Sequence, residues 1–211
     1  MCKNRSPSCI GKSINNAVDH LRQGGVVAFP TETYYGLAVD PSCSSAVTKV
    51  YAMKKRQKDK PLLLLIEKTE QLGLITQMIP PVYLALIKKY WPGALTLIFP
   101  AKSTLNHQIT GETGTVGVRI SPHPVAQELV RRMGTPITAT SANISGRPPA
   151  QSAKEVEAMF GNAVDYILDG GKTAAGLCST ILGIHNSNLT LIRPGQIDLS
   201  RELARSVENN E

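Results

Sequence analysis

A run of cations, KKRQKDK at residues 54–60, lies between a predicted helix and the apolar stretch LLLLI at residues 62–66. Lys54 and Arg56 flank a connection into a buried strand, and α/β sheets commonly bind ligands at such strand edges. A phosphate chain would fit both charges. The alternative is a solvated helix end, because cations at a helix C-terminus complement the helix dipole. In either case we expect the pair outside the core, so replacing one of them should hardly change thermal stability.

Small polar side chains crowd a second segment, PITATSANISGRPP at residues 136–149. Because an unpaired buried polar group costs about 1–3 kcal/mol, these side chains must line a site or form turns. An ordinary turn of the Asx or Ser type, closed by Gly146 and Pro148, is the alternative. The hydroxyl and amide residues are Thr138, Thr140, Ser141, Asn143 and Ser145.

The stretch FPTETYYGL at residues 29–37 raises the same question, because it leaves the apolar run Val26–Ala28 through mostly polar side chains. Thr31, Thr33 and Tyr35 should therefore also line a site or make turns. Gly36 would let the backbone come close to a ligand.

Apolar β-type runs alternate with segments of helical periodicity along the chain, which predicts a single α/β domain with a twisted mixed β-sheet and flanking helices. Ser152 with Glu155 predicts a capping box, and Ser44 is predicted to cap the helix that follows it. Predicted strands are 26–30, 62–66, 95–99, 116–120, 136–141, 166–170, 179–184 and 189–194. Predicted helices are 13–23, 44–55, 80–90, 124–133 and 152–161.

Composition limits the function further. The 211 residues carry 23 Lys and Arg against 16 Asp and Glu, and the formal charge of +7 suits a polyanionic ligand such as a nucleotide or RNA. Neither GxGxxG nor GxxxxGK[ST] occurs, so a nucleotide would be held by other means. The four cysteines and four histidines show no metal-ligand spacing. We found no apolar run long enough for a membrane helix, and we expect a cytoplasmic protein.

Seven segments in this order resemble the YrdC-like family of threonylcarbamoyl-AMP synthases: PTETYYGL, KKR before PLLLLI, WPGALTLIF, VGVRI, PITATSANISGRP, CSTIL and LIRPG. The resemblance covers about residues 14–197. It implies a basic concave cleft and the conversion of L-threonine, bicarbonate and ATP into threonylcarbamoyl-AMP and pyrophosphate. That product supplies the group placed on adenosine 37 of ANN-decoding tRNAs.

The same resemblance implies roles for particular residues. Lys54 and Arg56 would be catalytic and would hold the triphosphate with Lys60. Further nucleotide contacts would come from Thr115, Ser141, Asn143 and Arg193. Threonine would be bound by Thr33, Tyr35, Arg119 and Ser179, with the Arg119 guanidinium on the threonine carboxylate. Glu32 is the nearest carboxylate and is not assigned as a base.

Positioning and charge neutralisation can drive such a phosphoryl-type transfer. Mg2+ would arrive with ATP, and we expect no protein-bound metal or organic cofactor. Expected partners are the three substrates, tRNA or double-stranded RNA, and a downstream tRNA threonylcarbamoyl-transferase complex. We expect an N-terminal extension at 1–13, a YrdC-like domain at 14–197 and a charged tail at 198–211, the short single-domain form of the family.

One departure and three alternatives qualify this assignment. Leu65 stands where many relatives have a histidine near the bound amino acid, which puts one threonine contact in doubt. A paralogous branch of the same fold is less favoured, since KxR, SxN and PTET occur together. A non-catalytic RNA-binding or ribosome-maturation factor should carry aromatic residues among its cations, but aromatics are only 5% of the chain. A domain that adenylates carbamoyl phosphate belongs to much larger proteins.

Overall fold

The fold is known from a computed structural model, which describes residues 9–174, 176–186 and 188–208. The predicted N-terminal extension therefore lies mostly outside the described residues, as does the end of the predicted tail. Within the described part, residues 9–11 pair with a strand of the sheet, and residues 200–208 form a helix.

Eleven strands occur within the described residues, and they form two sheets where one was predicted. In chain order they are β1 (Cys9–Gly11), β2 (Val27–Pro30), β3 (Tyr35–Ala38), β4 (Leu63–Leu65), β5 (Leu95–Pro100), β6 (Thr115–Arg119), β7 (Ile137–Thr138), β8 (Thr140–Ser141), β9 (Tyr166–Leu168), β10 (Thr180–His185) and β11 (Asn188–Arg193). The five-stranded sheet has the order β1-β9-β2-β3-β8 and the six-stranded sheet the order β11-β10-β5-β6-β4-β7. Both contain parallel and antiparallel pairs, so the mixed character of the prediction is confirmed.

The five predicted helices are confirmed, with each end within one residue of its prediction. They are α1 (Ile14–Arg22), α2 (Ser44–Lys54), α4 (Pro81–Tyr90), α6 (Pro124–Met133) and α7 (Ala153–Phe160). Three helices were not predicted: α3 (Leu72–Ile75), α5 (His107–Thr110) and α8 (Ser200–Glu208). Short 3-10 turns occupy Thr69–Gln71 and Gly161–Ala163.

The predicted Ser152 cap of α7 is confirmed, although the Glu155 carboxylate bonds to the amide before the cap and not to that of Ser152 as in a full capping box, and the predicted Ser44 cap is wrong. The Ser152 hydroxyl accepts a hydrogen bond from the Glu155 amide at 3.3 Å, and the Glu155 carboxylate accepts one from the Gln151 amide at 2.9 Å. Ser44 is not the N-cap of α2, because the extended residue there is Cys43 and Ser44 is already helical.

The core has two parts that share the central strands. Val27 and Phe29 of β2 pack with α1 and α6, whereas Ala28 joins the larger cluster that contains α2 and much of the six-stranded sheet. Successive side chains of a strand point to opposite faces. A strand covered on both faces reads as a continuous apolar run, and this explains the sequence VVAF.

The polar stretch after this strand is the turn of a β-hairpin. β2 and β3 pair antiparallel, with Pro30 opposite Tyr35, and residues 31–34 connect them. The Thr31 hydroxyl closes the turn by donating to the Tyr34 carbonyl at 2.7 Å and accepting from the Thr33 amide at 3.2 Å. Part of the polarity of this segment therefore serves the turn itself.

The predicted strand 136–141 is split between the two sheets. Thr138 of β7 pairs with Leu64 of β4, whereas Thr140 of β8 pairs with Leu37 of β3. The chain thus crosses from one sheet to the other at Ala139. This crossing brings the hairpin turn of one sheet close to strand ends of the other.

Candidate functional site

A cavity of about 360 Å³ opens where the two sheets meet. The walls come from the hairpin turn, the segment after α2, strands β5 and β6, the crossing segment and the hairpin β10–β11. Its lining residues are Thr31, Thr33, Tyr34, Tyr35, Gly36, Arg56, Lys60, Pro61, Leu63, Ile98, Thr115, Gly117, Arg119, Ala139, Thr140, Ser141, Cys178, Ser179, Ile181, Ile192 and Arg193. Nine of the eleven residues assigned from the sequence are in this set, and Lys54 and Asn143 are not.

Arg119 ends β6 with a side chain that is only 7% exposed. Its Nη1 lies 2.5 Å from a carboxylate oxygen of Glu32, and the other oxygen of Glu32 accepts a hydrogen bond from the Ser121 hydroxyl. Burial lowers the pKa of Arg119, and the Glu32 charge opposes this shift. The guanidinium is thus fixed on one side by a carboxylate while it lines the cavity, an arrangement suited to a second carboxylate.

Ser179 and Arg193 are in direct contact, although the sequence assigned them to different substrates. Arg193 Nη2 donates to the Ser179 carbonyl at 2.8 Å and to its hydroxyl at 3.1 Å. The Ser179 and Thr96 hydroxyls are 3.0 Å apart. Arg193 therefore fixes the chain at Ser179 as well as adding positive charge to the cavity.

Thr33 and Tyr35 both line the cavity, and both are buried. The hydroxyls of Thr33 and Thr31 are 3.0 Å apart. The Tyr35 hydroxyl donates to the Gly171 carbonyl at 2.8 Å, and burial raises the pKa of Tyr35 to about 12. Tyr35 thus ties the hairpin to the segment after β9 and stays protonated at neutral pH.

Among the phosphate-binding residues proposed from the sequence, Arg56, Lys60 and Thr115 line the cavity. Arg56 donates to the carbonyls of Lys60 at 3.2 Å and Pro61 at 2.8 Å, so the turn that follows α2 orients its guanidinium. Burial lowers the pKa of Arg56. The Thr115 hydroxyl is 2.9 Å from that of Thr113.

Lys54 does not line the cavity. Lys54 as a whole is 1% exposed, and its ammonium group contacts Ser141 and Asn143. The expectation that Lys54 lies outside the core was wrong, and with it the reason given for expecting little effect on stability when Lys54 is replaced. The sequence of a basic run at a helix end does not show which of its cations is buried.

Several site features were missed by sequence reasoning. Tyr34 lines the cavity and donates to the Gly176 carbonyl at 2.6 Å. Four apolar side chains also line the cavity: Leu63, Ile98, Ile181 and Ile192. Alternation in β4 does not indicate Leu63, since Leu63 and Leu65 share one face of the strand, yet Leu65 packs into the smaller core cluster with α1 and α6 whereas Leu63 lines the cavity. No signal in the sequence singles out Tyr34.

The described residues show neither a metal site nor a membrane-spanning helix. No group of three or more His, Cys, Asp and Glu side chains there could hold a metal ion. Among the helices of that same part of the chain, none is long and apolar enough to cross a membrane.

Comparison with known proteins shows the class to which this fold and cavity belong. Residues 19–195 match the Sua5/YciO/YrdC family model, described as "Telomere recombination". The chain belongs to this family.

Particular relatives are more informative. The chain is 39% identical over 186 residues to the threonylcarbamoyl-AMP synthase of Pyrococcus abyssi, which covers 88% of this chain and 55% of the relative. It is 42% identical over 159 residues to the enzyme of the same name from Coxiella burnetii, covering 75% of this chain and 86% of the relative. The chain spans about half the length of the P. abyssi and Bacillus subtilis relatives.

Solved structures of the same family share the fold of this chain. The structure of P. abyssi Sua5 complexed with L-threonine matches with a TM-score of 0.86 and 37% identity, over 92% of this chain and 58% of that one. Escherichia coli YciO matches with a TM-score of 0.82 over 93% of this chain and 97% of that one, but at 22% identity the match shows the fold alone.

Proposed function

We propose that this protein is an L-threonylcarbamoyladenylate synthase, which converts L-threonine, bicarbonate and ATP into threonylcarbamoyl-AMP and pyrophosphate. The observation that carries the proposal is the cavity at the junction of the sheets. It combines the cations Arg56, Lys60, Arg119 and Arg193 with short hydroxyl side chains. The relatives named for this activity support the choice of reaction.

Different residues of the cavity bind the two substrates. Arg119 takes the carboxylate of L-threonine, because its guanidinium is fixed by Glu32 and presents paired donors. Thr33, Tyr35 and Ser179 surround the rest of the amino acid. Arg56, Lys60, Thr115, Ser141 and Arg193 take the nucleotide, and Asn143 contributes through Ser141, whose hydroxyl donates to Asn143 Oδ1 at 2.7 Å.

The chemistry proceeds by positioning and charge neutralisation. The threonine amine adds to CO2 derived from bicarbonate and loses a proton, which gives a carbamate. A carbamate oxygen then attacks the α-phosphorus of ATP, and the bond to the pyrophosphate oxygen breaks. Mg2+ enters with ATP as part of the substrate. Fixed cations in a partly desolvated cavity stabilise the developing charge without reorganising.

Glu32 takes no part in proton transfer in this scheme. Its two oxygens are engaged by Arg119 and Ser121, so it serves to hold the guanidinium. The proton of the amine leaves to solvent. The wider role follows from the product: the adenylate is consumed by a tRNA threonylcarbamoyl-transferase complex that modifies adenosine 37, in the cytoplasm and with contact to tRNA.

Pyrophosphate release tests the proposal. The purified protein is incubated with ATP and Mg2+, with and without L-threonine and bicarbonate, and the nucleotide product is identified by mass spectrometry. We expect release only when both are present. L-valine is the matched control substrate, because it has the shape of threonine without the hydroxyl.

Equal release with ATP alone would contradict the proposal. Binding of tRNA without any release would favour the RNA-binding alternative instead. Release that depends on carbamoyl phosphate and ignores threonine would favour the carbamoyl-transfer alternative.

A further inference from the structure

All the hydrogen bonds observed for the Lys54 side chain go to one segment, at Ser141 and Asn143. Its Nζ donates to three oxygens: the Ser141 carbonyl, the Asn143 carbonyl at 2.9 Å and Asn143 Oδ1 at 2.8 Å. A lysine ammonium has three N–H donors and no acceptor. A phosphate oxygen could be bound only by displacing one of these partners, and the residue is 1% exposed.

The main chain of Lys54 holds the same segment. Its carbonyl accepts a hydrogen bond from the Ser145 amide at 2.8 Å. Asn143 extends the network, because its Nδ2 donates to the Arg147 carbonyl at 2.6 Å. The last residue of α2 therefore anchors residues 141–147 by both side chain and backbone.

The backbone explains why two cations of one short motif point to different places. Lys55, at the C-cap of α2, adopts the left-handed conformation with φ 50° and ψ 40°. The chain reverses there, so Lys54 stays under the crossing segment while Arg56 reaches the cavity wall. Burial, and after it the nearby Arg56, lower the pKa of Lys54 to about 7.

We propose that Lys54 is a positioning residue that holds Ser141 and Asn143 in the conformation that binds the nucleotide, and that Arg56 is the cation of this motif that contacts phosphate. The inference rests on the proposed function for the identity of the ligand. The anchoring itself concerns the ligand-free protein and is tested separately.

The first test is hydrogen exchange on the ligand-free protein. Lys54→Met should speed exchange of the backbone amides at residues 142–147 by about ten-fold or more, because local protection depends on the anchoring contacts. Arg56→Met is the matched control, two positions along the chain, and should leave these amides unchanged. If Lys54→Met does not fold, Lys54→Gln, which keeps two N–H donors without the charge, takes its place. Unchanged exchange in the folded variant would overturn the inference.

The second test is a double-mutant cycle with Asn143→Ala, read out by steady-state kinetics. Each of Lys54→Met and Asn143→Ala should raise KM for ATP about ten-fold, and together no more than either alone, since residues that act as one unit are not additive. KM for L-threonine and kcat should stay within about two-fold, which general unfolding of the site would not allow. For Arg56→Met combined with Asn143→Ala, the two fold-increases in KM for ATP should instead multiply.

The outcomes separate the two proposals. Multiplication of the Lys54→Met and Asn143→Ala effects would overturn the positioning role, because it would indicate an independent phosphate contact. A wild-type protein that neither binds nor turns over ATP would refute the proposed function and the nucleotide role of the segment together. Hydrogen exchange would still decide whether Lys54 anchors residues 141–147.

Discussion

The substitution Arg119→Ala, which breaks the ion pair between Arg119 and Glu32, should change both the free energy of unfolding and the affinity for substrate. The two side chains are 7% and 13% exposed. Arg119→Ala would leave the Glu32 carboxylate in this site with only the Ser121 hydroxyl among its observed partners. Removing one member of a buried pair costs about 3–5 kcal/mol, since the other charge stays buried without its counterion. We therefore expect a large fall in the free energy of unfolding.

Substrate binding should change selectively. If Arg119 holds the threonine carboxylate, Arg119→Ala removes both a charge and a pair of hydrogen bonds. The expected loss is about 2–3 kcal/mol, or roughly 30- to 150-fold in threonine affinity, with ATP affinity much less affected. Arg119→Lys should not restore binding fully, because lysine lacks the planar pair of donors that matches a carboxylate.

Urea unfolding and calorimetric titration of each substrate measure the two effects. The combined variant Arg119→Met with Glu32→Gln removes both charges and should be less destabilised than the sum of the single changes. Arg131→Ala, which breaks an exposed pair with Glu128 on α6, is the control and should hardly change stability. Equal loss of ATP and threonine affinity, or a stability like that of the control, would refute this reasoning.

Three further predictions concern other parts of the molecule. Because the pKa of Lys54 is lowered to about 7, while an unfolded lysine titrates near 10.4, the folded state binds fewer protons between these values. The free energy of unfolding should therefore rise with pH across this window, and this part of the slope should vanish in Lys54→Met; equal slopes in urea titrations would contradict it. Gly195→Ala would place a Cβ within 2.4 Å of the Cys178 carbonyl and the Thr180 amide, and the displaced chain at Ser179 should lower thermal stability and threonine affinity; normal threonine titration would count against this. Ser152→Ala should cost about 1 kcal/mol of stability through the lost cap of α7 without changing either substrate affinity, and a change in affinity would show that α7 is coupled to the cavity.

The helices were predictable because their signals are local. Apolar spacing and caps such as Ser152 lie within a few residues of each other, and the observed ends follow them closely. β3 was missed because Thr31 and its neighbours make the hairpin look like a polar loop. Its pairing with β2 is a contact between strands that periodicity within one segment does not report.

The cavity was predictable in composition but not in geometry. The motifs placed Arg56, Ser141 and Arg119 in one site, and all three line it. The split of residues 136–141 between two sheets could not be read from the sequence, because nothing within this short segment marks a break at Ala139 and the partner strands lie far along the chain. The burial of Lys54 depends on that split, since its acceptors lie directly after the crossing.

The junction of the sheets also explains why Glu32 belongs to the site without being assigned to the chemistry. Glu32 lies in the turn of a hairpin from the five-stranded sheet, whereas Arg119 ends a strand of the six-stranded sheet. Their ion pair is therefore a bond between the two sheets across one side of the cavity, and the Lys54 anchor ties the crossing segment on another. Both polar contacts hold together the segments that line the cavity in which the proposed substrates bind. A buried pair retained at such a place gives little net stability, because the desolvation of both charges offsets their attraction. We infer that the pair serves the geometry of the cavity, which is why the combined Arg119→Met and Glu32→Gln variant should recover stability without recovering threonine binding.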